Sequence, residues 1–328
     1  MEISIGNSMP YFPFSERLAR WFFSIVACVL GCTAGSAQAQ QVQLPSFEGA
    51  QVRSVPVGNG ITMLSGRGAN IGVFAGEDGV LLVNDSFAPM HQKIVDAIAT
   101  ISSKPIRFLV NTDWHDANTD GNALMGKLGA VIVAHENVKR RLSVEQFNPA
   151  TNRRTPPYPK EALPLVTFSD SLTLHLNGND IYIFHPDPAH SDSDSVVYFR
   201  QANVLQTGDL YYSNNYPFID VESKGSVTGV IAAMDRILKI VNPDTKIIPG
   251  RGPVSNVKEL QEYRTMLVTV RDRILDGIRA GKTLEQIIAS KPSAEFDEAR
   301  KGSGELVVAR GPAEFVKLLY QDLSRTGR

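Results

Sequence analysis

Short runs of β-branched and aliphatic residues, each cut off by glycine, asparagine or aspartate, dominate the first third of the chain. "GITMLSG", "NIGVFAGEDGVLLVND" and "IRFLVN" have the length and residue types of strands, and Glu77-Asp78-Gly79 interrupts the second with the chemistry of a hairpin turn. Ahead of the run at Ile106 to Val110, "APMHQKIVDAIATI" sets apolar residues near helical spacing. Further strand-like runs follow in "AVIVA", "LTLHL", "DIYIFHP", "SVVYFR" and "NVLQTGD", then the amphipathic "VTGVIAAMDRILKIV" and the strand-like "TKIIPG". Strands punctuated by helices predict an α/β domain of layered sheet and helix.

From Asn256 the pattern turns helical. Val257, Leu260, Tyr263, Leu267, Val270, Ile274 and Ile278 recur at helical spacing behind Asn256 and Glu259, which resemble a capping box. Thr283 with Gln286 predicts a second helix start, and "GPAEFVKLLYQDL" a closing helix entered through Pro312. These helices are expected to cover the sheet.

The N-terminus has a different character. Arg17 and Arg20 precede an apolar run from Trp21 to about Gly31, and Ala37-Gln38-Ala39 follows. The run is shorter than the ~20 residues that span a bilayer, so it reads as a secretory signal, 1–39, cleaved after Ala39 to give a periplasmic or secreted protein. The alternative is a lipoprotein box at Val29 to Cys32 with a lipid anchor on Cys32. Cys28 and Cys32 are the only cysteines, so cleavage after Ala39 excludes both a disulfide framework and thiol catalysis. The 328 residues, 43% of them hydrophobic, suffice for a sizeable core. A formal net charge of −1 without a dense basic run excludes an electrostatic case for nucleic acid or an acidic membrane surface, leaving a small molecule as the expected partner.

With 6 histidines, each can be weighed singly. His91 and His135 lie in polar, helical surroundings and read as surface residues; His175 alternates within "LTLHL" and reads as a sheet-face residue; His185 ends an apolar strand before Pro186 and suits a core role. His115 and His190 differ. Each follows a strand directly and sits among small and acidic residues, in "NTDWHDANTDGN" and "PDPAHSDSDS", and loops at strand ends are where scaffolds carry function. Asp209 closes "NVLQTGD" and Arg251 closes "TKIIPGRG" in the same way.

From about Phe47 to Leu323 the chain resembles the metallo-β-lactamase-fold hydrolases. The likeness rests on "GEDGVLLVND", "LVNTDWHDANTDGN", "HPDPAHSDSDSVVYF", "TGDLYY", "YPFIDVESKGSV" and "IIPGRGP", in one order. The resemblance implies an αββα sandwich over 40–254 with the active site along one edge of the two sheets, and a C-terminal helical extension, 255–328, packed on the same domain. In that family the first loop reads His-x-His-x-Asp-His, and a His, an Asp and a final His follow on later loops. Here those positions hold Asp113, His115, Ala117, Asn118, His190, Asp209 and Arg251.

The resemblance therefore implies a first metal site of Asp113, His115 and His190, a donor set that can still hold one zinc. The second site retains Asp209 only: Ala117 has no donor atom, the Asn118 amide is a poor ligand, and the Arg251 guanidinium cannot accept. Arg251 is expected to pair with Asp209 in the vacated volume, and Asp116, Asp120 and Asp209 are the candidate bases. Two functions follow: a weakened hydrolase using at most one zinc against a small ester, lactone or amide, or a metal-free pseudoenzyme serving as a periplasmic binding or interaction protein.

Overall fold

The hydrophobic runs fold into two sheets. In the computed structural model, which describes residues 46–148, 153–302 and 311–326, the first sheet carries β1 (Arg53–Gly58), β2 (Ile61–Ser65), β3 (Ile71–Gly76), β4 (Gly79–Val83), β5 (Ile106–Val110) and β6 (Val131–His135) in sequence order. A small ribbon of β7 (Gln146–Asn148) and β8 (Arg153–Thr155) intervenes before β9 (Val166–Phe168) completes the sheet beside β6. The second sheet runs β10 (Ser171–Leu176), β11 (Asn179–Phe184), β12 (Val196–Phe199), β13 (Val204–Gln206), β14 (Lys246–Ile248) and β15 (Ser255–Asn256). The expected signal segment, 1–39, with Cys28 and Cys32, lies outside the described residues.

Alternation along the strands explains the layering. Leu81 and Val83 of β4 face inward to meet Ile181, Ile183, Val197 and Phe199 of the second sheet. Val80 and Leu82, pointing the other way, meet Ile94 and Ile98 of α1 (His91–Ala99). Two short helices, α2 (Asp116–Thr119) and α3 (Asn122–Lys127), follow β5, and α4 (Glu136–Leu142) follows β6. Across the molecule α5 (Val227–Leu238), α6 (Val257–Arg279), the short α7 (Leu284–Ala289) and α8 (Pro312–Thr326) bury Met234, Leu267, Ile287 and Phe315 against the second sheet. The order helix, sheet, sheet, helix is the αββα sandwich.

The caps differ in one respect from expectation. Thr283 and Gln286 form the full reciprocal box at α7, whereas Asn256 accepts from the Glu259 N–H at α6 while the Glu259 carboxylate turns to the Ser255 hydroxyl at 2.5 Å. Only half of that box exists, because β15 places Ser255 within reach of the glutamate.

His135 corrects a second expectation. The helical polar residues that follow it suggested a surface site, yet it is the last residue of β6, 4% exposed, and its ring stacks on His185 at 3.8 Å. Burial, and then the charge of His185, lower its pKa from the ordinary 6.5 to about 4. The unfolded chain binds more protons in this window, so stability is full above about pH 6.5 and falls as pH drops towards 4. His135→Gln is expected to remove this slope when urea unfolding is compared at about pH 4.5 and about pH 7; an unchanged slope would show that another group causes it. His91 opens α1 and is partly exposed, and His175 lies exposed on β10, 2.7 Å from Asp180.

Strands β4, β5, β6 and β9 run parallel, as do β13 and β14. The loops after β5, β11, β13 and β14 carry His115, His190, Asp209 and Arg251 respectively, and they meet at one edge of the sandwich. Ligand sites in open α/β sheets gather at the carboxyl ends of strands for this reason.

Candidate metal centre

The loop after β5 is held by asparagines. Asn84, in the left-handed region at φ 67°, accepts from the Thr112 N–H at 2.8 Å and donates to the Thr112 hydroxyl at 3.0 Å. Asn111 and Asn122 exchange amide hydrogen bonds, both 2.9 Å, closing the loop across 11 residues. A side chain on Gly208 would lie 2.5 Å from the Thr112 hydroxyl, so glycine there allows the loop after β13 to approach. The Ser195 N–H, next to β12, donates to the Thr112 carbonyl at 2.6 Å and ties the two sheets together at this point.

The structure brings Asp113, His115 and His190 together, with one donor atom from each within 4.8 Å of the others. The Asp113 carboxylate accepts from the His115 N–H at 2.9 Å and the Asn118 amide at 2.8 Å. His115 lies between two acids: Nδ1 is 3.0 Å from Asp113 Oδ1, and Nε2 is 3.0 Å from Asp220 Oδ2. The His190 Nδ1 lies 2.9 Å from Asp194 Oδ1, while its Nε2 is buried without a hydrogen-bond partner. Burial by itself lowers the His115 pKa, but hydrogen bonds to Asp113 and Asp220, together with their charge, override it and push the imidazole up to about 10. His190 is raised in the same manner, burial being outweighed by Asp194. Burial would raise Asp113 and Asp220; contact with His115 holds both below the usual carboxylate range instead.

The donor set fits a single ion. Zinc takes imidazole nitrogen and carboxylate oxygen at about 2.0–2.2 Å in a tetrahedron, and two imidazoles with one carboxylate are such a set. An unpartnered buried nitrogen such as His190 Nε2 is costly unless something binds it. The neighbouring volume holds a poorer donor set, although Asn118 Oδ1 and Asp209 Oδ1 lie there buried without hydrogen-bond partners. Ala117 is buried and offers nothing, and Asn118 turns its amide nitrogen to Asp113. Arg251 Nη2 stands 3.6 Å from Asp209 Oδ2, with the two side chains 11% and 5% exposed. This is an ion pair rather than a forked hydrogen bond, because the Tyr212 hydroxyl takes the close position, donating to Asp209 Oδ2 at 2.9 Å. Burial opposes the Arg251 charge, and Asp209 more than restores it.

The three candidate bases are placed differently. Asp116 is exposed and its carboxylate accepts from the Ala117 N–H within the first turn of α2, while Asp120 accepts from the Ala88 N–H at 2.9 Å. Asp209 keeps a buried oxygen, Oδ1, without a hydrogen-bond partner. Asp220, Asp194, Tyr212 and Phe218 escaped sequence reasoning as individuals, although each lies inside a quoted motif. Phe218 sets its ring edge-on to both His115 and His190, at 5.9 and 5.8 Å. Asp220 is 105 residues from His115 in the chain, and no local pattern signals such a contact.

The αββα sandwich defines a metallo-β-lactamase-fold protein. The comparisons agree: residues 119–252 match the family model described as the metallo-beta-lactamase superfamily. A metallo-beta-lactamase from Pontibacter korlensis superposes with a TM-score of 0.55 at 18% identity, over 66% of this chain and 99% of that one. A stereoselective inverting sec-alkylsulfatase from Pseudomonas sp. superposes with a TM-score of 0.60 at 15% identity, covering 83% of this chain; the chain spans 50% of that protein. At these identities the likeness is one of fold.

Proposed function

We propose that the chain is a hydrolase of small esters, lactones or amides that works with one zinc ion, held by Asp113, His115 and His190, and with Arg251 as a fixed cation beside it. The observation that carries this reading is the buried, unpartnered His190 Nε2 within a three-donor cluster. Bound there, zinc supplies Lewis acidity and a lowered pKa for water. The residues of the chain do the rest. Asp209 Oδ1 is a buried acceptor for a proton, and Tyr212 and Arg251 hold its other oxygen. The Arg251 guanidinium offers positive charge to an oxygen on which negative charge develops. Phe218 beside the two imidazoles excludes water from one side.

The test is metal analysis of protein purified without chelators and then dialysed against zinc. About one zinc per chain is expected, lost in His190→Ala and in Asp113→Ala; none under any condition would rule the reading out. The metal-free binding protein is then the remaining reading, and one observation favours it: Asp113 and His115 Nδ1 already satisfy one another without a metal.

A further inference from the structure

The segment Ile219 to Ser226, in the quoted "YPFIDVESKGSV", is zipped along the loop that carries His190. The Asp220 N–H donates to the His190 carbonyl at 2.8 Å, the Asp192 N–H to the Ser223 carbonyl at 2.9 Å, and the Ser226 N–H to the Ala189 carbonyl at 2.8 Å. Gly225 makes the close approach possible, since a side chain there would lie 2.3 Å from the His190 carbonyl oxygen. From this zipped segment the Asp220 carboxylate reaches across to the other loop and meets His115 Nε2 at 3.0 Å. One residue thus joins the backbone of one candidate ligand to the ring of another.

A cation that binds His115 displaces one of its two ring protons, and the neutral imidazole that remains has one to place. On Nδ1 it would face Asp113 and the donor cluster and block coordination; on Nε2 it leaves the Nδ1 lone pair free. The two flanking acids do not compete equally. Asp113 already accepts from the His115 N–H, the Asn118 amide and, at 3.3 Å, the Thr112 hydroxyl, whereas Asp220 accepts otherwise from the Ser223 N–H at 3.1 Å. The less satisfied carboxylate is the stronger acceptor for the remaining proton. We infer that Asp220 is a positioning residue: it holds the His115 ring proton on Nε2 and so presents Nδ1 to the centre shared with Asp113 and His190.

This inference rests on the single-metal reading, and its test separates the two. The full chain, labelled with 15N-histidine, is titrated with 113Cd2+ against a competing chelator. Wild type is expected to show 113Cd coupling on His115 Nδ1. Asp220→Leu should lose that coupling and bind 113Cd2+ about 10- to 100-fold more weakly, the range for loss of an outer carboxylate. Asp220→Asn, whose carbonyl still accepts from Nε2, should retain Nδ1 coordination, a difference from Asp220→Leu that a space-filling role would not produce. Unchanged affinity and coupling in Asp220→Leu, or loss of Nδ1 coordination in Asp220→Asn, overturns the inference. Should wild type bind no 113Cd2+, the single-metal reading fails and the proton is followed in the metal-free chain. A slowly exchanging His115 Nε2–H resonance seen in wild type and Asp220→Asn but absent from Asp220→Leu supports the positioning role; its absence from wild type or persistence in Asp220→Leu overturns it.

Discussion

Arg251→Ala is expected to lower the free energy of unfolding by about 3 kcal/mol or more, because it leaves the Asp209 carboxylate buried with no cation beside it. The environment makes this specific. Asp209 is 5% exposed, its Oδ1 has no hydrogen-bond partner and its Oδ2 has the Tyr212 hydroxyl, so removal of the guanidinium is not made good by water. Asp209→Asn combined with Arg251→Met should cost far less, since both charges go together and the volume is nearly kept. Urea unfolding of the two variants decides the matter: a loss below about 1 kcal/mol in Arg251→Ala would show that the pair contributes no more than a surface ion pair.

The second large effect runs in the direction of gained chemistry. Asp113→His, Ala117→Asp, Asn118→His and Arg251→His made together are expected to raise zinc from about one towards two per chain and to increase hydrolysis of generic ester or lactam substrates by about 100-fold, the equivalent of a few kcal/mol. Arg251→His alone should not recover a second ion, because Ala117 still has no donor atom and Asn118 still spends its amide on Asp113. Equilibrium dialysis with elemental analysis reads the stoichiometry, and a quadruple variant that folds yet holds no more zinc than wild type would defeat the idea that these positions alone close the second site.

What the sequence determined by itself is the scaffold and the chemistry available at each strand end. Strand runs, the hairpin turn at Glu77-Asp78-Gly79 and the helical stripe from Val257 are local patterns, and local patterns survive in a sequence because side-chain periodicity follows backbone geometry. The histidine, carboxylate and guanidinium positions in the four loops were legible for a related reason, since each follows its strand directly. Tertiary structure decided which groups meet. Asp220 reaches His115 only because its segment lies along the His190 loop, and Arg251 stands beside Asp209 only because the loops after β13 and β14 are bonded together, the Ser213 N–H to the Arg251 carbonyl and the Gly250 N–H to the Tyr211 carbonyl. His135 read as polar surface from its helical neighbours, yet the end of β6 carries it inward onto His185. Burial, charge pairing and the direction of a carboxylate depend on residues far apart in the chain, and for those properties the distances had to come from the fold.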